Sequence, residues 1–350
     1  MRAFVVILSL VFSVAAFAHH SVAGFFDPDT SVEIEGTVKI VRWRNPHTVF
    51  EVDVRNPDGE VITWRIESGA LGVLRSRGIG REFIKVGDEV RIMGDSSLRS
   101  DREMFARNIL LSDGKEVMMT AGSAPYFSVR DDGSMLEAEY DEDIISAAKE
   151  TAVGLFRVWS TNIEVRPSGG RILPNPLPLT AAAKAKRADY DAGDEALLGC
   201  TEWSMPRLMM NPLPMEFVQE GDVILQRFEE NDSVRRIHMG VAAGDRPDEF
   251  LRFGYSTGEW DETTLVVTTT QVSPDRFDNA GTPFSSEMRL VERFSPSDDG
   301  DRLDYTLVVS DPKTFTEPFE VKRYWEWRPE ITVGAYDCER DQSLSAADLK

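Results

Sequence analysis

The stretch VEIEGTVKIV, residues 32–41, alternates apolar and polar side chains over most of its length. A period of two residues is typical of a β-strand with one buried face. The same alternation returns in VFEVDV at 49–54 and in VITWRI at 61–66, and the Asn-Pro-Asp-Gly sequence at 56–59 between them is a strong turn signal. The sequence therefore predicts three consecutive strands joined by short connections.

A helix and two more strands are predicted after this three-stranded unit. Residues 70–77 favour a helix, and Gly78 stands where helices commonly end. EVRIMG at 89–94 and FARNILL at 105–111 favour two further strands. Three strands, a helix and two strands is the element order of an OB barrel. We therefore predict a five-stranded OB-like domain over residues 19–119.

The rest of the chain predicts a second β domain. Residues 120–151 contain small and acidic residues typical of a linker, and residues 341–350 form a tail. Residues 152–340 hold a series of short alternating runs and one helical segment at 180–188, with Thr180 in a position to cap it. This pattern predicts an antiparallel β barrel or sandwich, lipocalin-like in architecture. The protein as a whole is expected to be mostly β.

The charge of the chain limits its partners. It has 60 acidic against 39 basic residues, which gives a formal net charge of −21. So acidic a surface repels phosphate backbones, and we predict no nucleic-acid partner despite the OB-like order. After the N-terminal apolar run, no segment approaches the roughly 20 apolar residues that a membrane-spanning helix needs, so no transmembrane segment is expected there.

The first 18 residues predict export. Arg2 precedes an apolar run, and Ala16 and Ala18 are the small residues that signal peptidase requires before a cleavage site. We expect cleavage after Ala18, so that the mature protein begins at His19 and works in the periplasm or outside the cell. In such an oxidising compartment, Cys200 and Cys338 predict a disulfide that closes a long loop in the second domain.

These motifs together resemble a family of uncharacterised exported bacterial proteins, a domain of unknown function. The N-terminal resemblance rests on His19-His20-Ser21, Phe26-Asp27, Gly36-Thr37-Val38, Trp43-Arg44-Asn45-Pro46-His47 and Gly87-Asp88-Glu89-Val90. The C-terminal part looks like a β domain that accompanies it, through Met205-Pro206-Arg207, Gly258-Glu259-Trp260, Val291-Glu292-Arg293-Phe294 and Ser310-Asp311-Pro312-Lys313. The resemblance implies export and the two-domain layout, and it brings no activity with it.

Three of the 4 histidines suggest a metal site. Cleavage after Ala18 would give His19 a free α-amine beside its imidazole, the donor pair of a copper histidine brace. His20 is adjacent, and His47 lies in the loop between the first two predicted strands. Sites rich in nitrogen donors favour copper(II). The sequence thus predicts that His19, His20 and His47 bind copper, with a mobile tail and a turn histidine as the alternative.

Other residues give weaker signals. Met205, Met209, Met210 and Met215 have thioethers that suit copper(I) or fill a core, and we favour the core. His238 is predicted to be an ordinary strand residue. Trp325 and Trp327 share one face of a predicted strand and would either pack in the core or line a cavity.

No catalytic motif names a reaction, so we favour a binding protein over an enzyme and keep an oxidase-type reaction at the copper as a third hypothesis. No Gly-x-Ser-x-Gly elbow and no phosphate-binding glycine motif is present. The first hypothesis is an exported protein that binds copper through its processed N-terminus. The alternative is a module without metal, whose C-terminal domain takes a small apolar ligand or a periplasmic protein partner.

Overall fold

The computed structural model of the protein describes residues 25–120, 122–130, 133–161, 173–190, 200–241 and 248–338. The predicted signal segment, His19, His20 and the tail at 341–350 lie outside these residues. The described chain is mostly β, as the alternating pattern predicts. None of its helices has the length and apolar character that a membrane crossing requires.

Seven strands form one sheet in the N-terminal part. They are β1 (Phe26–Arg42), β2 (Val49–Arg55), β3 (Val61–Glu67), β4 (Glu89–Ser97), β5 (Glu103–Leu111), β6 (Lys115–Met118) and β7 (Ser134–Met135), with the helix α1 (Leu71–Arg75) between β3 and β4. The order in the sheet is β3-β2-β1-β4-β5-β6-β7, and β3 also pairs in parallel with β5. The sheet therefore curls back on itself.

The predicted five-stranded OB-like barrel needs correction in this part of the chain. β6 and β7 extend the sheet beyond β5, which gives seven strands in place of five. The sequence-based prediction missed them because they are only 4 and 2 residues long, too short for a clear period. The helix is also shorter than the predicted 70–77, and it ends before Gly78, whose φ of 67° suits glycine.

The long strand β1 pairs with both neighbours and so organises this sheet. It pairs with β2 along one edge and with β4 along the other. At Gly36 the strands come so close that a Cβ atom would lie 2.4 Å from the backbone oxygen of Asp53. Only glycine fits this approach. The apolar positions of the alternating runs point inward and form a core with Val38, Phe50, Val52, Ile66, Ile92 and Ile109.

The segment at 120–151 is attached to the first sheet by hydrogen bonds. The buried carboxylate of Glu116 accepts from the backbone N–H groups of Tyr126 and Ser128, both at 2.7 Å. The helix α2 (Glu142–Thr151) follows, and the Asp141 carboxylate caps it by accepting from the N–H of Asp143 at 2.9 Å. The Tyr140 hydroxyl donates to the backbone oxygen of Ser76 at 3.1 Å.

Nine strands close a barrel in the C-terminal part. They are β8 (Val158–Ser160), β9 (Met215–Glu220), β10 (Val223–Phe228), β11 (Val234–Met239), β12 (Tyr255–Asp261), β13 (Thr264–Thr270), β14 (Arg289–Pro296), β15 (Arg302–Ser310) and β16 (Phe319–Trp327). The helix α3 (Ala181–Ala188) lies between β8 and β9, and Thr180 caps it as predicted. The predicted barrel is therefore confirmed, and the alternative sandwich is wrong.

This barrel is not wholly antiparallel. β11 and β12 pair in parallel, whereas the other neighbouring pairs are antiparallel. Parallel neighbours require a connection of about a dozen residues or more, and residues 240–254 provide one. The alternating pattern carries no information on strand direction, which is why the sequence predicts antiparallel strands throughout.

Side chains fill the interior of the barrel. The core contains large apolar groups that are almost completely buried, among them Trp159, Phe294 and Trp325. A buried polar network lies beside them: the guanidinium of Arg235 donates to both oxygens of Glu292, and the hydroxyl of Tyr305 donates to Glu292 at 2.9 Å. In the described residues, an apolar core and a buried polar network therefore fill the interior of the barrel.

After β16, residues 328–338 cross to the N-terminal sheet, and we call this segment the C-terminal strap. Arg328 donates to the backbone oxygen of Ser76 at 2.7 Å. Cys338 forms an isolated parallel bridge with Asn45. The sulfur atoms of Cys200 and Cys338 lie 2.06 Å apart, which is the distance of the predicted disulfide. The cysteine pair therefore ties the strap to the barrel at the point where the strap reaches the other domain.

Candidate functional site

His47 lies in the connection between β1 and β2, and its ring contacts a carboxylate. The Nδ1 atom of His47 is hydrogen-bonded to Oε1 of Glu67, the last residue of β3. The side chain of His47 is 30% exposed and that of Glu67 is 13% exposed. A carboxylate on one ring nitrogen fixes the tautomer and the orientation of the imidazole. Nε2 is then the nitrogen through which His47 would bind a metal.

The local fold brings the two residues together through the β2–β3 hairpin. Its register pairs Val49 with Glu67. Beyond that pair, the N–H of Ser68 donates to the oxygen of Thr48 at 2.9 Å, and the N–H of Thr48 donates to the oxygen of Gly69 at 3.2 Å. These bonds hold the backbone directly after His47 against the end of β3.

Two arginines and a second carboxylate surround this pair. Nη1 of Arg65 donates to Glu67 at 3.0 Å and to Glu103 at 2.6 Å. Arg99 donates to Glu103 at 2.9 Å, and the Ser97 hydroxyl donates to it at 2.8 Å. Each of the two carboxylates is thus paired with at least one arginine. In this network His47 is the side chain whose second ring nitrogen could bind a metal.

Burial raises the pKa of Glu67, but the charge of His47, the charge of Arg65 and their hydrogen bonds outweigh it. The pKa falls from 4.5 to about 2. Glu67 is therefore ionised throughout the neutral range, and its carboxylate accepts a charge-assisted hydrogen bond from the His47 N–H.

The chain reaches this network at its first described residue. The backbone oxygen of Phe25 accepts from the N–H of Leu98 at 2.8 Å, and the guanidinium of Arg99 lies 4.3 Å from the Phe25 ring centroid. The Phe26 ring lies 5.4 Å from that of Phe105, which in turn contacts the His47 ring edge-on at 5.8 Å. Only one ring, that of Phe105, therefore lies between His47 and Phe26, the first residue of β1.

The described residues alone do not complete a metal site. Within the ranges that the structure covers, no three histidine, cysteine, aspartate or glutamate side chains are grouped around a common point. His19 and His20 fall outside those ranges, so the structure gives the position of His47 only. The prediction that the three histidines meet stays a prediction.

The weaker candidates take other roles. His238 lies on β11 and stacks on Tyr255 at 4.8 Å, and burial followed by the charge of Arg236 lowers its pKa. Met209 and Met215 are buried in the barrel core, where both sulfur atoms accept from the Gln226 amide at 3.4 Å. Trp325 belongs to the same core and Trp327 packs against it. These methionines and tryptophans are core residues here.

The sequence-based prediction missed Glu67, Arg65 and Glu103. The signal for Glu67 is the turn at 56–59, which sets the hairpin register and places Glu67 opposite Val49, two residues after His47. The contact with Glu103 depends on the parallel pairing of β3 with β5, which brings together residues far apart in sequence. No local pattern predicts that pairing.

The substitution Glu67→Gln tests the electrostatic description of the pair. Because the pKa of Glu67 is lower in the folded than in the unfolded protein, its charge stabilises the fold above pH 4.5, and this stabilisation is lost as pH falls toward 2. A shift from 4.5 to about 2 corresponds to roughly 3 kcal/mol. The variant should therefore unfold more easily in urea at neutral pH and resemble the wild type near the acid end.

Glu51→Gln is the matched control, because Glu51 pairs with Arg42 at 2.9 Å on the neighbouring strand and contacts no histidine in the described structure. Its loss of stability should change less with pH. If Glu67→Gln lowers the free energy of unfolding equally at neutral and at strongly acid pH, the electrostatic description of the His47–Glu67 pair is wrong.

Comparison with known proteins gives one match. A family model described as a family of unknown function (DUF6152) matches residues 7–104. The matched region includes all three predicted metal ligands and also Glu67 and Glu103. Comparisons with curated proteins and with solved structures gave no match. The predicted resemblance to a domain of unknown function is thus confirmed for the N-terminal part, and that of the C-terminal part stays a prediction.

Proposed function

We propose that this protein is exported and binds copper(II) between its processed N-terminus and His47, without catalysing a reaction. Cleavage after Ala18 would place it in the periplasm or outside the cell and make His19 the first residue. His19 would then bind the ion through its α-amine and its imidazole, and His47 through Nε2. His20 would be a further ligand or would contact a ligand.

One observation supports this proposal above all: the carboxylate of Glu67 engages Nδ1 of His47. Metal-binding histidines commonly donate their second ring N–H to a carboxylate, which orients the ring and makes the binding nitrogen more basic. The Glu67 carboxylate is also held by Nη1 of Arg65 at 3.0 Å, so it is fixed in place to orient the ring in this way.

The position of the chain supports the same proposal. Residues 19–24 directly precede Phe25 in the chain, and the ring of the next residue, Phe26, lies 5.4 Å from that of Phe105, which contacts the His47 ring at 5.8 Å. Six residues span at most about 20 Å when extended. The first residue of the processed chain is therefore within reach of the His47 ring.

The donor set indicates copper. It combines an amine and two or three imidazoles, and nitrogen-rich tetragonal sites favour copper(II). Arg65 forms ion pairs with Glu67 and Glu103, and Arg99 forms one with Glu103. Because arginines neutralise both carboxylates, these side chains are poor oxygen ligands for magnesium or calcium. An OB-like domain would then serve as a rigid support for the loop that carries His47.

The proposal is tested by calorimetric titration of copper(II) into protein that begins at His19. We expect one tight site per chain. Two variants should weaken it by at least tenfold: His47→Ala, and a protein with one extra residue before His19, which moves the amine away from the imidazole. His238→Ala is the matched control and should bind like the wild type. Equal affinity in all four proteins would refute the proposal.

A further inference from the structure

The C-terminal strap holds the loop that carries His47, and it does so through one buried side chain. Asn45 is completely buried, two residues before His47. Its Nδ2 donates to the backbone oxygen of Tyr336 in the strap, and its Oδ1 accepts from the N–H of Leu71 at 2.9 Å. A residue of the N-terminal domain thus depends on the C-terminal part for one of its two side-chain bonds.

The bond to Leu71 shows why an asparagine stands at this position. Leu71 begins α1, and the residue before it, Ala70, has no side chain that can cap the helix. Asn45 supplies the acceptor from a distance of 26 residues. Its amide group is therefore fixed on one side by the helix and on the other by the strap.

The strap is itself fixed on both sides of Tyr336. Cys338 pairs with the backbone of Asn45 and is bonded to Cys200. The N–H of Tyr336 donates to Asp232 at 3.1 Å, and the N–H of Gly334 donates to Glu229 at 3.2 Å. Tyr336 also packs with Val73 and Leu213 in a small apolar cluster between the two domains.

We infer that Asn45 is a positioning residue for His47, and that the Cys200–Cys338 disulfide maintains this function by holding the strap against Asn45. This inference rests on the proposed copper function. If the disulfide holds the strap in this way, the metal affinity of the N-terminal domain depends on the oxidation state of Cys200 and Cys338 in the C-terminal part. A dithiol reductant would transfer two electrons and two protons to the S–S bond. The bond breaks to give the thiols of Cys200 and Cys338, and the dithiol is oxidised to its own disulfide.

Asn45→Asp is the first test, because aspartate has the shape of asparagine. One carboxylate oxygen still accepts from Leu71, whereas the other now faces the oxygen of Tyr336 and repels it. Asn56→Asp is the matched control: it adds the same charge to an exposed turn of the same domain, where the side chain accepts from the N–H of Glu60 at 2.8 Å. A second variant, Cys200→Ala with Cys338→Ala, releases the strap without leaving a thiol that binds copper.

Two measurements are made on each protein. Copper(II) affinity is measured by competition with a chelator of known affinity, and the ¹⁵N chemical shifts of His47 are measured without metal, since they report which ring nitrogen carries the proton. We expect Asn45→Asp and the double cysteine variant to lose about tenfold to a hundredfold in affinity, as changes around metal ligands commonly do. The His47 shifts should change in both variants and stay the same in Asn56→Asp.

The two proposals fail in different ways. If the wild-type protein does not bind copper, the proposed function is wrong, and the His47 shifts still decide whether Asn45 positions the ring. If the wild type binds copper but both variants match it in affinity and in the His47 shifts, the inference is wrong and the proposed function stands. Loss of affinity in Asn56→Asp equal to that in Asn45→Asp would also overturn it.

Discussion

Replacing Glu292 by alanine is expected to lower the free energy of unfolding of the barrel by about 3–5 kcal/mol, the cost of leaving a buried charge without its partner. Arg235 and Glu292 have fully buried side chains. All five N–H groups of Arg235 are in use, since it also donates to Ser256 at 3.0 Å, to Gln226 at 3.1 Å and to Thr269 at 2.5 Å. Without Glu292 the guanidinium keeps only neutral acceptors.

Urea unfolding followed by tryptophan fluorescence measures this effect, because Trp325 packs on Tyr305 beside the network. The matched control is Asp261→Ala, which breaks an exposed ion pair of 2.7 Å with Arg293, the next residue on β14. That change should cost less than about 1 kcal/mol. Replacing both Arg235 and Glu292 by methionine should recover much of the loss. A cost for Glu292→Ala as small as the control's would show that the pair is not buried.

Removing the disulfide is the second large effect. The pair closes a loop with a sequence separation of 138 residues. Loop-closure entropy alone predicts a loss of about 4–5 kcal/mol for a loop of this size. The double variant Cys200→Ala with Cys338→Ala should therefore unfold at a clearly lower urea concentration than the oxidised wild type.

A phosphine reductant provides the control for this prediction. It should lower the urea midpoint of the wild type to the level of the double variant, and it should not change the double variant. A wild-type midpoint that does not respond to the reductant, at a concentration that reduces the bond in urea, would contradict the assignment of this stability to the disulfide.

Much of the fold could be predicted because each strand carries its own period. Residues 61–66 are predicted as a strand from their own pattern, and β3 spans Val61–Glu67. The disulfide could be predicted because the chain has only two cysteines. Such features depend on local pattern or on simple counting, and both are visible in a single sequence.

Contacts between distant strands could not be predicted in this way. Arg235 occupies one of the inward-facing positions of β11, whereas a charged residue in an alternating strand is expected to face solvent. Its partner Glu292 is 57 residues away. In the candidate site, His47 is visible as a metal-binding residue type, whereas its orientation by Glu67 appears only when the hairpin closes. The contact between Asn45 and the strap spans 291 residues and has no local signal.

The first residue of the processed chain and His47 are proposed to bind one copper(II) ion together. Electron paramagnetic resonance of the copper-loaded protein that begins at His19 distinguishes this shared site from binding by the N-terminus alone, with the free peptide HHSVAG, residues 19–24, as the reference. We predict a spectrum different from that of the peptide, with one imidazole nitrogen fewer coupled to copper in His47→Ala. A spectrum that matches the free peptide and does not change in His47→Ala would contradict the claim.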